Sequence, residues 1–173
     1  MLNLNTNKYI EYFDNLTDTQ KYVFTNVNSS KSKSQPGIYV HHLTIEELES
    51  NFPEFGEEIM NAFRNYKSNY NFLPHDGFID SVKIKKYHKN VGRLKEHVDC
   101  NHKSLSHRFL AFIIYLNDIE KGGETEFSEQ KVKIKPKRNK ISFFPPFWTH
   151  PHLGNTPESN DKYIINGFMS YKF

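Results

Sequence analysis

The stretch YHKNVGRLKEHVD spans residues 87–99 and closes with the tripeptide His-Val-Asp. In an extended strand, residues i and i+2 point to the same face, so His97 and Asp99 are predicted to converge. An imidazole and a carboxylate suit a divalent first-row metal, and a second histidine would complete a set that leaves coordination positions open on Fe(II). Two candidates for that histidine, His150 and His152, lie in the C-terminal third.

The residues around this stretch have the pattern of strands. From about Ser81, Val82 and Ile84 alternate with lysines, which predicts that the lysines and Tyr87 share the opposite face. FLAFIIYL (109–116) is apolar on both faces, as expected of a central strand. Further strands are predicted at VKI (132–134), ISFF (141–144) and YIINGFMSYKF (163–173). Short strands without intervening helices predict an antiparallel sandwich or barrel of the jelly-roll kind.

The first 80 residues are predicted to be a helical support region for this β core of residues 81–173. Thr44 and Glu47 form a capping box that opens a short helix through about Ser50. A second helix is predicted with Pro53 in its first turn and with an apolar stripe at three- and four-residue spacing: Phe55, Ile59, Ala62, Phe63 and Tyr66. NSSKSKSQPG (28–37) is predicted to be a loop.

The composition fits one globular domain over residues 1–173, with 36% hydrophobic and 15% aromatic residues. A net charge of +3 gives little support to a nucleic-acid partner. Cys100 is the single cysteine, which excludes an intrachain disulfide framework. The longest apolar run, residues 109–116, is too short to span a membrane, so a cytoplasmic protein without membrane contact is expected.

The lysine-rich segment KVKIKPKRNK (131–140) has two interpretations. Its first lysines alternate with Val132 and Ile134, as in a solvent-facing edge strand, and this interpretation is favoured over a nucleic-acid contact. Asn139 is predicted to adopt positive φ in the turn that follows, because asparagine tolerates that conformation better than most residues.

A longer pattern joins the two ends of the candidate site. FFPPFWTHPHLGNTPESNDKYIINGF (143–168) places a histidine after an apolar strand and a lysine at the start of the next one. With the His-x-Asp tripeptide, this arrangement resembles the iron(II)- and 2-oxoglutarate-dependent dioxygenases, in particular their prolyl 4-hydroxylase-like branch. FIIYLND (112–118), GGETEF (122–127) and KPKRNKISFFP (135–145) also resemble the middle strands of that family, so the resemblance covers roughly residues 82–173.

The resemblance implies a ligand set for the metal. His97 and Asp99 match the first two ligands of the family. His152 matches the third, because it stands fifty-five residues after His97 and ten before Lys162. His150 stands twelve residues before Lys162, and is therefore the less favoured alternative, with a supporting or rim position as its other interpretation.

The resemblance also implies a cosubstrate site. Lys162 matches the basic residue that pairs with the distal carboxylate of 2-oxoglutarate, and an unpaired buried carboxylate would be very costly. Tyr115 matches a tyrosine that donates to the same carboxylate, and Tyr87 matches one that contacts cosubstrate or substrate. Either tyrosine could instead be a core residue. Leu94 and Asn139 depart from the family, since an aromatic residue and a glycine are usual there.

The implied fold is mainly β (α+β): a double-stranded β-helix, a cupin-like jelly roll with N-terminal flanking helices. The implied activity is hydroxylation of an unactivated C–H bond with Fe(II), 2-oxoglutarate and O2, releasing succinate and CO2, with ascorbate in support. A prolyl residue in a peptide or protein is the expected substrate. The candidate elements around it are loops and exposed aromatic residues: 28–37, 67–78, 100–107, Trp148 and Tyr39.

Two alternatives stay open. A free amino acid or other small molecule would need a compact pocket with a carboxylate partner such as Arg93. A non-catalytic cupin-like metal-binding module would keep the metal ligands, but would have no need for Lys162.

Overall fold

A computed structural model describes residues 1–25 and 34–172 of the protein. The described residues contain three α-helices and a short 3₁₀ helix: α1 (Thr6–Asn15), α2 (Ile45–Asn51), α3 (Phe55–Lys67) and Lys103–Leu105. They also contain ten strands: β1 (Tyr22–Thr25), β2 (Ser34–His42), β3 (Phe78–Tyr87), β4 (Leu94–His97), β5 (Arg108–Tyr115), β6 (Thr125–Phe127), β7 (Val132–Ile134), β8 (Ile141–Phe144), β9 (His152–Gly154) and β10 (Lys162–Ser170).

The strands form two antiparallel sheets. The major sheet has the order β1-β2-β3-β10-β5-β8, and the minor sheet has the order β4-β9-β6-β7. This strand-rich architecture confirms the predicted jelly roll. The region before residue 81 contributes strands as well as helices, because β1 and β2 extend the major sheet beside β3.

The central strand β5 separates two apolar layers. All residues from Phe109 to Leu116 are buried, which confirms the prediction for this segment. Phe112 and Ile114 pack on the helical side, in a cluster that includes Tyr9 of α1. Side chains on the other face of β5 belong to a second cluster between the sheets, which includes these residues: Ala111, Ile113, Tyr115, Phe127 and Phe144. His152 and Lys162 lie on this inner side, facing the cavity between the sheets.

The helices agree with the sequence to different degrees. The predicted capping box of α2 is present, since the Thr44 side chain accepts from the Glu47 backbone N–H. Helix α3 begins at Phe55 after the N-cap residue Glu54, so the position predicted for Pro53 was wrong, and this proline precedes the helix. Helix α1 was not predicted. The burial of two aromatic side chains, Tyr9 among them, stabilises it without a side-chain cap.

The predicted loop 28–37 requires a correction. Strand β2 begins at Ser34, which pairs with Thr25, so the last four residues of that segment are strand. Backbone pairing with neighbouring strands here outweighs the loop propensity of a Ser-Gln-Pro-Gly sequence. The remaining residues of that segment, 28–33, lie outside the described residues, as does residue 173 at the end of the predicted last strand.

The lysine-rich segment begins with an edge strand of the minor sheet, as predicted. Strand β7 lies at the edge of the minor sheet, and Lys131, Lys133 and Lys135 are exposed. Asn139 has φ of 62°, which confirms its predicted turn conformation. Among the described residues, no helix is long and apolar enough to cross a membrane.

Candidate metal centre and adjoining cavity

Three side chains form a compact group: His97 and His152 of the minor sheet, and Asp99 of the bend that follows β4. His97 ends β4 and pairs directly with His152, the first residue of β9. Their rings lie 4.3 Å apart between centroids. One Asp99 oxygen is 3.6 Å from His97 Nε2, and the other is 3.8 Å from His152 Nε2. One ligand atom from each residue lies within 4.8 Å of the others, a spacing that could hold a metal ion.

Asp99 reaches this group in a way that the alternation argument did not predict. We expected one extended strand through Asp99, but β4 ends at His97 and Asp99 lies in the bend beyond it. The prediction of a continuous strand was therefore wrong, although the two side chains do converge. The backbone N–H of the next residue, Cys100, donates to Pro146 O at 2.8 Å and fixes the bend.

Backbone carbonyls orient both imidazoles. His97 Nδ1 lies 2.9 Å from the carbonyl oxygen of Lys95. His152 Nδ1 lies 3.1 Å from the carbonyl oxygen of His150. A carbonyl accepts but cannot donate, so each Nδ1 carries the proton and each Nε2 presents its lone pair to the centre. This is the arrangement that metal-binding histidines normally have.

The protonation states also suit a cation. Burial, followed by the charge of His97, lowers the pKa of His152 to about 4, so this imidazole is neutral at pH 7. Burial alone would raise the pKa of the Asp99 carboxyl, but the neighbouring His97 and the charges of His152 and Lys85 outweigh it and lower the pKa to about 2. The group therefore offers a carboxylate and, at His152, a neutral imidazole, which are the protonation states that divalent metals bind.

His150 does not join this group. Its side chain contacts the Thr149 hydroxyl at 2.9 Å instead, and β9 begins only at His152. His150 and His152, although only two residues apart, therefore do not lie on one strand face. His150 contributes to the centre through its backbone carbonyl, which orients His152.

Lys162 is the first residue of β10 and is buried, with 2% of its surface exposed. Its Nζ donates to the carbonyl oxygen of Gly123 at 2.9 Å and lies 4.0 Å from the centroid of the Tyr87 ring. Gly122 and Gly123 both have positive φ, and this tight turn brings the Gly123 carbonyl to the lysine. Burial lowers the pKa of Lys162 to about 7, so an anion next to it would stabilise its charged form.

Of the two predicted tyrosines, Tyr87 lines the same cavity as Lys162, but Tyr115 does not. The Tyr115 hydroxyl donates to Thr125 Oγ1 at 2.7 Å, and Thr125 lines the cavity. Burial raises the pKa of both phenols, that of Tyr115 to about 12, so both remain protonated donors at neutral pH.

One cavity connects these groups, and its volume is about 420 Å³ when the solvent space at its open mouth is included. His97, Asp99 and His152 line it together with Lys162 and Tyr87. Sequence reasoning missed three other polar lining residues: Lys85, Thr125 and Asn166. For Lys85 a signal existed, since alternation placed it on the face of Tyr87, but the sequence could not show that this face is the interior.

The elements proposed for substrate contact lie in different environments. Trp148 is exposed, with 78% of its surface accessible, whereas Tyr39 is half-buried with its ring against His88. Arg93 is exposed and does not line the cavity. Its charge contributes, after Asn155 and Lys133, to the lowered pKa of Glu126 in β6. The predicted loop 100–107 contains the 3₁₀ helix Lys103–Leu105.

Comparison with known proteins identifies the family. The family model described as the 2OG-Fe(II) oxygenase superfamily matches residues 82–170, more than half of the chain. The chain belongs to the 2OG-Fe(II) oxygenase superfamily. It is therefore an oxygenase enzyme, and the alternative of a non-catalytic metal-binding module is disfavoured. A search of curated proteins finds no significant match.

Solved structures share the fold of this 2OG-Fe(II) oxygenase. A Trichoplax adhaerens prolyl hydroxylase, in complex with a hypoxia inducible factor peptide fragment, has a TM-score of 0.70 at 15% identity, with 95% of this chain and 77% of that one covered. The viral collagen prolyl hydroxylase of Paramecium Bursaria Chlorella virus-1, in a 2OG complex, has a TM-score of 0.61 at 22% identity, with coverage of 79% and 81%. A Pseudomonas putida prolyl-4-hydroxylase has a TM-score of 0.61 at 14% identity, with coverage of 79% and 73%.

Proposed function

We propose that this oxygenase hydroxylates a prolyl residue in a peptide or protein, with Fe(II), 2-oxoglutarate and O2, and releases succinate and CO2. One observation carries the proposal: the group formed by His97, Asp99 and His152 shares a single cavity with the buried Lys162. A metal site next to a buried cation suits a cosubstrate that must bind a metal at one end and present a carboxylate at the other.

In this proposal His97, Asp99 and His152 hold the iron. Two imidazoles and one carboxylate are the donor set of open non-haem Fe(II) sites. The protonated Nδ1 atoms keep both Nε2 atoms directed to the centre, so the ion need not reorganise its ligands. When bound, iron would supply the oxidation chemistry, and the protein supplies ligand orientation and a cavity lined in part by buried side chains.

Lys162 and Tyr87 form the site for the distal carboxylate of 2-oxoglutarate. The ammonium group is already positioned by the Gly123 carbonyl and the Tyr87 ring, so little side-chain entropy is lost when the anion binds. Tyr115 supports this site through Thr125, whose hydroxyl accepts its hydrogen bond and is left with its own proton to donate into the cavity. Ascorbate would act as a supporting reductant outside this site.

A peptidyl substrate is favoured over a free amino acid by two observations. The relatives of similar fold are prolyl hydroxylases, one of them in complex with a peptide. Arg93, the carboxylate partner suggested for a free amino acid, does not line the cavity. Trp148 stands four residues before His152 in the chain, and its exposed side chain is available to pack against an extended peptide.

The test combines two measurements on one set of reactions. Purified protein, Fe(II), ascorbate and 2-oxoglutarate are incubated with proline-rich peptides or with free proline. Peptide-stimulated succinate release, with one oxygen added to a proline by mass spectrometry, is expected. Asp99→Ala serves as the inactive control and Lys133→Ala, at the exposed edge of β7, as the active one. Oxygen incorporation into free proline alone would overturn the peptidyl substrate.

A further inference from the structure

The middle of β10 places a polar side chain on the inner face of the major sheet. Lys162, Ile164 and Asn166 point to one side of this strand, and all three line the cavity. Asn166 lies four residues after Lys162, roughly 13 Å along the strand. The carboxyl carbons of 2-oxoglutarate are only about 5 Å apart, so Asn166 belongs to the part of the cavity beyond the Lys162 subsite.

The neighbours of Asn166 place it at the level of the candidate metal centre. It pairs with Lys83 of β3 on one side and with Ile113 of β5 on the other. Burial, followed by the charge of Arg108, lowers the pKa of Lys83, whereas the charge of Asp99 acts in the opposite direction. Asp99 and Asn166 also line the same cavity. A ligand bound next to Asp99 would therefore be close to the Asn166 side chain.

The amide of Asn166 has an acceptor that the protein does not use. Its Oδ1 atom is buried and has no hydrogen-bond partner among the described residues. Asn139 Oδ1 shares this property, but Asn139 does not line the cavity, and its Nδ2 donates to Leu4 O in a turn. Buried polar atoms are normally hydrogen-bonded, because an unpaired one is costly. A donor on a bound ligand would satisfy Asn166.

The backbone that carries this amide is closely constrained. The next residue, Gly167, lies under the Phe112 ring, and a Cβ there would be 2.5 Å from Phe112 Cζ. The register with β3 shifts between Asn166 and Phe168, and Ser81, on the β3 side of this bulge, has φ of 55°. Bulges of this kind redirect side chains next to active sites. The backbone therefore positions the amide before a ligand binds.

The charges around Asn166 limit the kind of donor that can approach it. Lys83 is its partner on β3, and Lys85 lines the same cavity. These cations and a bound divalent metal would repel an ammonium group, so a neutral N–H or O–H is favoured. Proline within a peptide has no N–H of its own. On the carboxyl side of a target proline, the nearest donor is the backbone N–H of the residue that follows.

We propose that Asn166 accepts a hydrogen bond from the backbone N–H of the residue that follows the target proline. The proposal rests on the proposed function and deepens it, because it adds a requirement on the substrate. The side chains of Ala111, Ile113 and Phe144 offer apolar packing to the ring, and Asn166 fixes the orientation of the chain by a polar contact. A proline followed by a second proline, which offers no N–H, is a poor substrate.

The test uses pairs of peptides that differ in one backbone group. Each pair consists of a blocked proline-rich peptide that contains Pro-Ala and its ester analogue, in which L-lactic acid replaces the alanine. The ester oxygen thus replaces the N–H, while the side chain stays the same. Dissociation constants are measured by calorimetry on protein loaded with Mn(II) and 2-oxoglutarate under anaerobic conditions. Succinate release and oxygen incorporation into proline are measured separately with Fe(II).

We expect the amide peptide to bind roughly tenfold more tightly than its ester, because the ester loses the hydrogen bond and turns an acceptor towards Oδ1. In Asn166→Leu this ratio should fall to within about twofold, since the leucine side chain accepts from neither form. The affinity of this variant for 2-oxoglutarate should hardly change, because Lys162 is intact. Asn65→Leu, at an exposed position of α3, is the matched control and should retain the full ratio.

The ratio in the unsubstituted protein stands whether or not Asn166→Leu folds. Equal affinity for both forms, absence of binding by every amide peptide, or a full ratio in folded Asn166→Leu would each overturn the proposal. The proposed function fails differently: the peptides would bind with the expected ratio, but no proline would gain oxygen and no succinate release would be stimulated with Fe(II).

Discussion

The two sheets of this oxygenase contrast in construction and in what they contribute to the site. The major sheet has long strands, such as the nine residues of β10, and carries the buried cation Lys162. The minor sheet is built from strands of three or four residues, and His97 and His152 lie at the ends of two of them. A long, fully buried strand fixes its side chains by packing, whereas a short strand needs further constraints.

Those constraints are visible at the group formed by His97, Asp99 and His152. The carbonyl groups of Lys95 and His150 hold the two imidazoles, and the bend after β4 brings Asp99 to them. Lys162 on the major sheet is thus held by burial in a long strand and by one hydrogen bond to Gly123, whereas the group on the minor sheet depends on local hydrogen bonds and, in the proposed function, on the ion. This difference predicts how each side should respond to change.

Removing a metal ligand should have the largest effect. His97→Ala, Asp99→Ala and His152→Ala should each reduce iron-dependent succinate release to background, since too few ligands remain to hold Fe(II) in an open site. The iron content of each purified variant and its rate of succinate release are measured on the same sample. His150→Ala is the matched control, because the backbone carbonyl that orients His152 survives the substitution, and it should keep measurable activity. Loss of iron in His150→Ala with retention in His152→Ala would contradict the ligand assignment.

The proposed 2-oxoglutarate subsite, formed by Lys162 and Tyr87, should respond to substitution with weaker binding of this cosubstrate. Lys162→Ala should raise the Michaelis constant for 2-oxoglutarate roughly ten- to a hundredfold, because a charge-assisted pair contributes about 1.5–3 kcal/mol. Iron affinity, measured by titration under anaerobic conditions, should change far less. Tyr115→Phe should act in the same direction with a smaller effect, since its hydroxyl acts through Thr125. Unchanged dependence on 2-oxoglutarate in Lys162→Ala would remove the basis for this subsite.

The pKa of Lys162 gives the subsite a pH dependence. In the unliganded protein burial lowers this pKa to about 7, and a bound carboxylate should raise it again. Below pH 7 the lysine is already charged, so affinity for 2-oxoglutarate should be flat. Above pH 7 binding must take up a proton, so the dissociation constant should rise by up to about tenfold per pH unit.

Calorimetry in buffers of different ionisation enthalpy measures this proton directly. Lys162→Arg is the control, because arginine stays protonated throughout this pH range. In this variant the dissociation constant for 2-oxoglutarate should no longer rise with pH. A slope that survives in Lys162→Arg would assign the proton to another group, with Lys85 in the same cavity as the next candidate.

Metal binding should stabilise the minor sheet more than the major one. A metal at about a hundred times its dissociation constant adds roughly 2.7 kcal/mol to the free energy of unfolding. For a domain of this size, that corresponds to a rise in Tm of about 5–10 °C. Hydrogen exchange of β4 and β9 should slow on addition of Mn(II), while the exchange of β5 and β10 should hardly change. Equal protection of both sheets would contradict this difference between them.

Much of the fold follows from local sequence patterns. The run 109–116, the short strands 132–134 and 141–144, and the capping box at Thr44 all lie where they were predicted, because burial on both faces, alternation and capping leave local signals. Helix α1 has no such local signal in the sequence, because it lacks a side-chain cap and depends on long-range packing. The last residues of the predicted loop before β2 became strand for the same reason: their partners are distant in the sequence.

For the site, the residue types and their spacings can be read from the chain directly: His-x-Asp, a distal histidine, and a lysine ten residues after it. Tertiary structure alone brought His97, Asp99 and His152 within 4.8 Å, separated His152 from His150, and set Thr125 between Tyr115 and the cavity. It also decided that Lys85 faces inward. Alternation along a strand shows which side chains share a face, but only the packing of the second sheet determines which face becomes the interior.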